Sequence, residues 1–167
     1  YGIFRVEKMR NTSHKADFLI IGGGAIGMFL AISLKQKYPD CTMTLVEKED
    51  SLAKHTSGRN SGVLHAGIYY KPNTVKARIC QKGSKRLKQW IQDRGLPLNN
   101  CGKLIVAQDA NLDDQIDVLH ERAHENDVFT QILDTNQINE IEPKARSATG
   151  RALWSPNTSV TDPKKVI

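Results

Sequence analysis

Asp17-Phe-Leu-Ile-Ile-Gly-Gly-Gly-Ala-Ile-Gly-Met-Phe-Leu-Ala31 is the stretch whose reading decides the fold. Phe18 to Ile21 are apolar and strand-forming, too short a run for a helix and suited to a buried parallel strand. Gly22, Gly24 and Gly27 then give G-x-G-x-x-G, and Met28, Leu30, Ala31 and Leu34 continue as a helical apolar pattern. Gly22 permits the tight strand-to-helix turn, Gly24 lets backbone approach a pyrophosphate, and Gly27 lets the helix pack closely on the strand. The N–H groups that open the helix then face the phosphates, aided by the helix dipole. A second strand, Thr42-Met-Thr-Leu-Val46, leads into Glu47, about 20 residues past the last glycine, where an acid meets a ribose hydroxyl. Strand, turn, helix and acid stand in the order that dinucleotide binding requires.

Outward from this unit, the 167 residues suffice for one good core, or for one domain and part of another. Hydrophobic content of 39% and charged content of 25% are those of an ordinary globular chain. No apolar run approaches the ~18 residues of a membrane span. The net charge of +6 is modest and its basic residues are spread along the chain. No basic stripe interleaves with aromatic residues, which argues against nucleic-acid binding. Cys41, Cys80 and Cys101 are far apart, without metal-ligand spacing or the look of a disulfide framework, and point to a reducing compartment.

Residues 1–16 are polar, with Arg5, Lys8, Arg10 and Lys15 against Glu7, and contain no secretory-type apolar core. They read either as the end of a mitochondrial presequence or, with Met9 as the start, as a short polar lead. The stretch 51–73 is rich in Ser, Gly, Asn and His, and loops of that length are usually functional. An amphipathic helix is expected over about 75–94, with Val75, Ile79, Leu87, Trp90 and Ile91 near one face and lysines on the solvated side. A strand at 103–107, a helix around 112–123 with Asp113 and Asp114 in its first turn, a strand at 129–133, a helix at 135–141 and a strand at 152–154 complete the pattern. Another helix starts after Pro163.

The run His55-Thr-Ser-Gly-Arg-Asn-Ser-Gly-Val-Leu-His-Ala-Gly-Ile-Tyr-Tyr-Lys-Pro72, with the fingerprint and Cys101-Gly-Lys-Leu-Ile-Val-Ala107, resembles the L-2-hydroxyglutarate dehydrogenase/oxidase family. These are FAD-dependent oxidoreductases related to D-amino-acid oxidase. The similarity runs from about Asp17 onward and includes Ile141-Glu-Pro143 and Ser155-Pro-Asn-Thr158. The resemblance implies an α/β fold: a Rossmann-like FAD-binding βαβ unit followed by the start of a mixed α+β substrate domain. The expected division is a leader at 1–16, an FAD-binding region at 17–100 and an incomplete substrate-binding domain at 101–167. Family members are longer, so the chain is expected to be an N-terminal fragment, inactive alone, that lacks most of the substrate pocket. No arginine clamp for the substrate carboxylates is assigned.

The implied cofactor is FAD, held by Gly22, Gly24, Gly27 and Glu47, then by Ser57, Arg59, Asn60, Ser61 and Gly62. Those last five offer small side chains, hydroxyls, an amide and a cation to pyrophosphate and flavin acceptors, against a lesser reading as a polar turn cluster. His65 is the one ionisable ring in the motif that can take a hydroxyl proton, against a reading in which it fixes the loop. Tyr69 and Tyr70 orient substrate, wall the flavin or pack. His120 and His124, four apart on one helix face, lack an evident third ligand and read as solvated, so no metal site is expected. The lysine face of the 75–94 helix reads as solvation, or as a means of drawing in a dicarboxylate or docking on an anionic membrane.

The implied reaction is oxidation of L-2-hydroxyglutarate, a dicarboxylate 2-hydroxy acid, to 2-oxoglutarate by hydride transfer to flavin. The electron acceptor is a quinone, a transfer flavoprotein or oxygen. Two rivals remain: a related flavin oxidase of an amine or glycerol phosphate, and a nucleotide-binding module without catalysis. The expected location is cytoplasmic, peripheral to the inner membrane, or mitochondrial if the leader is a presequence.

Overall fold

The computed structural model describes residues 15–167, so the expected leader lies, except for its last two residues, outside the described residues. The chain forms two compact units, one running up to Ser61 with Pro163–Ile167, the other covering Gly62–Asp162.

In the first unit β1 (Phe18–Ile21) lies parallel to β2 (Met43–Val46), joined by helix α1 (Ala25–Lys37). Parallel strands need such a crossover connection. The register pairs Phe18 with Met43 and Ile21 with Val46. It is fixed at its start by Asp17, whose carboxylate accepts from Thr42 N–H at 2.7 Å and Thr42 Oγ1 at 2.8 Å. Helix α1 starts at Gly24 with no acid in its first turn and ends with Lys35 and Lys37 in its last. Lys35 Nζ there donates to the carbonyls of Pro39 and Cys41 at 2.9 and 2.7 Å. A Cβ on Gly27 would stand 2.0 Å from Gly22 O, so only glycine lets α1 lie this close to β1. Among the described residues one face of β1 is covered: Ile20 is buried, while Leu19 and Ile21 lie on the other face of the strand.

The second unit holds two antiparallel three-stranded sheets. In the first, β8 (Ser159–Thr161) lies between β3 (Val63–Leu64) and β4 (Leu98–Asn99); in the second, β7 (Ala152–Ser155) lies between β5 (Lys103–Val106) and β6 (Gln131–Leu133). Helices α2 (Val75–Asp93), α3 (Asp114–Glu125) and α4 (Thr135–Ile141) connect them. The core gathers Ile68, Ala107, Ile116, Ala123, Val128 and Leu153. A smaller cluster of Leu133, Ile138 and Ala152 sits under α4, which a capping box between Asp134 and Gln137 starts cleanly. The expected boundary near residue 100 falls inside this unit, between β4 and β5.

Several elements differ from expectation in detail. Helix α2 buries Ala77 and Ile91, whereas Val75 and Ile79 face out. The i, i+4 spacing of Val75 and Ile79 is met, but that stripe sits on the side away from Ile91. Helix α3 begins after a separate 3₁₀ turn at Ala110–Leu112, and Asp113 is engaged elsewhere. Its carboxylate accepts from Thr149 Oγ1 and pairs with Arg151, which also reaches Asp117 at 2.6 Å. Phe129 stays exposed ahead of β6. His120 is half-buried, not solvated, with Nδ1 2.8 Å from the hydroxyl of buried Thr130.

Candidate cofactor cradle and reaction site

The first unit brings Gly22, Gly24, Gly27, Glu47 and Ser57 together. Gly22 has a φ of +103°, its N–H donates to Val46 O at 2.8 Å, and open space stands where its side chain would be. A non-glycine residue there would be strained. Gly24 precedes α1, and a Cβ on it would meet Ser57 Oγ at 3.0 Å. That hydroxyl accepts from Ala25 N–H at 3.0 Å, so the 55–61 loop is seated on the helix start. Glu47, at the end of β2, accepts from Gly23 N–H at 2.6 Å through one carboxylate oxygen and from Glu49 N–H at 3.1 Å through the other. The Gly23 N–H, then that of Glu49, hold its carboxyl below the usual carboxylate range, so it stays ionised. Each oxygen keeps a second lone pair for a ribose hydroxyl.

Gly23 was missed by the sequence reading. A Cβ on it would lie 2.4 Å from Leu52 Cδ2 and 3.2 Å from Glu47 Oε2, so glycine lets the Glu47 carboxylate and the Leu52 side chain close on this backbone undisturbed. The G-G-G run hid this signal, since the fingerprint assigns no role to the glycine between the first two. Asn60 Nδ2 donates to the carbonyls of Thr56 and Ser57 at 3.2 and 2.9 Å, closing its own turn, while Arg59 and Ser61 are exposed. Gly62, buried with a φ of +68°, and His65 belong to the second unit.

There His65 follows β3 and stands edge-on to Tyr69, ring centroids 6.3 Å apart. Lys103, the first residue of β5, donates to Tyr69 OH at 2.6 Å and lies 4.5 Å from that ring's centre. His65 is exposed, yet desolvation by its neighbours and then the Lys103 charge push its imidazole below its ordinary 6.5, which favours the neutral form able to accept a proton near pH 7. The backbone of this loop is pinned from α3. Arg122 Nη1 donates to Tyr69 O at 3.1 Å, and Asn126 Nδ2 to Gly67 O and Tyr70 O at 3.3 and 2.9 Å. Buried Ile68 anchors it to the core. Tyr70 packs under Lys76, 4.7 Å from its ring. Lys103 stands out only in the structure, where its contact with Tyr69 brings it to the histidine loop.

The profile of the FAD dependent oxidoreductase family (DAO) matches residues 17–167, and the chain belongs to that family. Its curated relatives include the mitochondrial L-2-hydroxyglutarate dehydrogenase of Caenorhabditis elegans, 40% identical over 149 residues, covering 89% of this chain and 34% of that protein. The L-2-hydroxyglutarate dehydrogenase of Escherichia coli K12 is 37% identical over 150 residues, covering 90% and 35%. The chain thus spans about a third of the length of these relatives. Among solved structures, L-alpha-glycerophosphate oxidase from Mycoplasma pneumoniae with FAD bound superposes with a TM-score of 0.80 at 31% identity, covering 92% of this chain and 41% of that one. Glycine oxidase from Geobacillus kaustophilus, at 18% identity and a TM-score of 0.77, covers 92% and 42% and shares the fold.

FAD is the cofactor of this family, and the cradle fits it. Gly22 leaves backbone open beside a helix start that carries no acid, and an ionised Glu47 follows the adjacent strand. Relatives are found both in mitochondria and in bacteria. Among the described residues no helix is long and apolar enough to cross a membrane.

Proposed function

We propose that this protein, taken whole, oxidises L-2-hydroxyglutarate to 2-oxoglutarate. The observation that supports this substrate is the 37–40% identity to L-2-hydroxyglutarate dehydrogenases across the segment that carries both the glycine cradle and His65. FAD, when bound, supplies the hydride acceptor. Gly22, Gly24 and Gly27 with the start of α1 would hold its pyrophosphate, and Glu47 its adenosine ribose. Ser57, Arg59, Asn60, Ser61 and Gly62 would line the rest of the cofactor. His65 takes the hydroxyl proton onto an imidazole nitrogen, and the O–H electron pair becomes the second carbon–oxygen bond as hydride leaves C2.

The likeness to glycerophosphate oxidase supports a second reading, a flavin oxidase of glycerol phosphate or an amine. Anaerobic mixing of the full-length protein with each candidate separates them. The expected outcome is bleaching of the flavin by L-2-hydroxyglutarate and none by glycerol 3-phosphate or glycine. The opposite pattern supports the second reading, and no bleaching by any of them a nucleotide-binding module without catalysis.

The electrons then pass to a quinone, a transfer flavoprotein or oxygen, which reoxidation rates of the reduced protein distinguish. Helix α2 supports a peripheral seat on an anionic membrane: it carries six cations against Asp93 alone, with Val75 and Ile79 exposed among them. Such a seat fits a cytoplasmic protein at the inner membrane or a mitochondrial one.

A further inference from the structure

Lys103 holds a position that the cofactor cradle does not account for. Four paired residues fix β5 against β7, and its partner across the ladder, Ser155, is fully buried, so the root of the side chain is anchored. Its ammonium has no carboxylate partner among the described residues. One of its three donors goes to Tyr69 OH, which as an acceptor keeps its own proton to give. The Tyr69 backbone is tied to Arg122 on α3, and its ring stands edge-on to His65. From α2 the facing group is Cys80, whose Sγ lies 3.7 Å from His65 O. A cation without a carboxylate partner among the described residues and a phenol donor therefore stand beside a proton-accepting ring, on a loop tied to α3. That arrangement suits an anion carrying a hydroxyl next to its charge.

We propose that Lys103 and Tyr69 form a carboxylate-recognition site that seats one carboxylate of a 2-hydroxy acid so that its hydroxyl lies against His65. The inference rests on the proposed oxidation of a 2-hydroxy dicarboxylate, and it assigns a recognition role to two residues of this chain. Lys103 is a specificity residue in this account, and it also orients Tyr69. The charge is what matters, so Lys103→Arg should preserve most of the effect that Lys103→Met removes.

The test uses the full-length, FAD-loaded protein, its Lys103→Met, Lys103→Arg and Tyr69→Phe variants, and two measurements. In the first, glutarate, which cannot be oxidised at a hydroxyl it lacks, is titrated while the His65 ring resonances are followed. The expected result is a saturable shift in the parent and in Lys103→Arg, weakened about 10- to 100-fold in Lys103→Met, the worth of a charge-assisted hydrogen bond. In the second, flavin reduction by L-2-hydroxyglutarate should show KM raised by a similar factor in Lys103→Met, with kcat changed much less and FAD content retained. Tyr69→Phe, which keeps the ring, should give a smaller rise in KM. Glutarate affinity and KM unchanged in Lys103→Met overturn the proposal. So does a shift of His65 by glutarate that is absent in the parent. A parent that binds glutarate through Lys103 but does not oxidise L-2-hydroxyglutarate overturns the functional reading while the carboxylate site stands.

Discussion

Glu47 is held ionised and His65 neutral, each in the state its task needs. Glu47 is kept ionised by two backbone N–H groups, and loss of its charge should be felt directly by the cofactor. Glu47→Gln in the full-length apoprotein is expected to weaken FAD binding by about tenfold or more in a fluorescence titration, the worth of a hydrogen bond to a charged group. An unchanged Kd would remove Glu47 from the ribose. His65 works as a base only when unprotonated, and desolvation by its neighbours, then the Lys103 charge, lowers its proton affinity. Protonation therefore sets in below the usual ~6.5 of a free imidazole, and flavin reduction should hold its rate through that pH before falling on the acid side. Stopped-flow rates from pH 5 to 8 test this, and an acid limb at or above the free-imidazole value would contradict it. His65→Asn should keep FAD bound and slow reduction by roughly 10²–10⁴, as loss of a general base does. Joint loss of FAD and fold would instead mark His65 as the loop's anchor.

At the scale of elements, the close approach of α1 to β1 depends on one missing side chain. Gly27→Ala would place a methyl against the Gly22 carbonyl, so the helix must move away and carry the cradle with it. The cost should be about 1–3 kcal/mol of stability, as for overpacking generally, together with weakened FAD binding. Chemical denaturation of the full-length variant reads the first and flavin content the second; a variant as stable and as yellow as its parent would refute the packing argument. Gly24→Val should likewise remove FAD, since the cradle's backbone could no longer meet a pyrophosphate. The same ladder is set at its start by Asp17, whose proton affinity is lowered by the Thr42 N–H and then the Thr42 hydroxyl. A carboxylate depressed on folding stabilises the native state above its unfolded value of ~3.9 and loses that contribution as pH falls through the folded one. Asp17→Asn should lower the melting temperature at pH 7, and the difference should shrink as pH falls through the depressed folded-state value, which a series of thermal melts reads.

Over the whole molecule the charge is uneven. A chain with a formal net charge of +6 places Lys76, Arg78, Lys82, Lys85, Arg86 and Lys88 on α2 with one acid, Asp93. If that face docks on anionic lipid, the full-length protein should sediment with phosphatidylglycerol vesicles and be released as salt rises, because exposed charges are screened beyond ~10 Å at 0.1 M. Lys82→Glu with Arg86→Glu should abolish the sedimentation while leaving FAD content unchanged. Retention by the double variant would assign the membrane contact elsewhere.

What residue order alone determined was local. Phe18 to Val46 spelled out strand, glycine turn, helix and strand because each device acts within a few residues: apolar runs, turn glycines and helix periodicity. The bounds expected for α4 match the structure because its cap and its stop are both local. The strands β3, β4 and β8 were not legible, since segments of two or three residues have no period of their own and exist only through pairing partners up to about a hundred residues away along the chain. Which stripe of α2 would face the core depended likewise on what packs against it. The same holds for the candidate site. Gly22 and Gly27 stand out in a fingerprint because a left-handed turn and a close helix–strand approach dictate their types. Gly23 under the Glu47 carboxylate, Arg151 between Asp113 and Asp117, and Lys103 over Tyr69 were decided by tertiary structure, because the contacts that define them are set by sheet register and helix docking between distant segments.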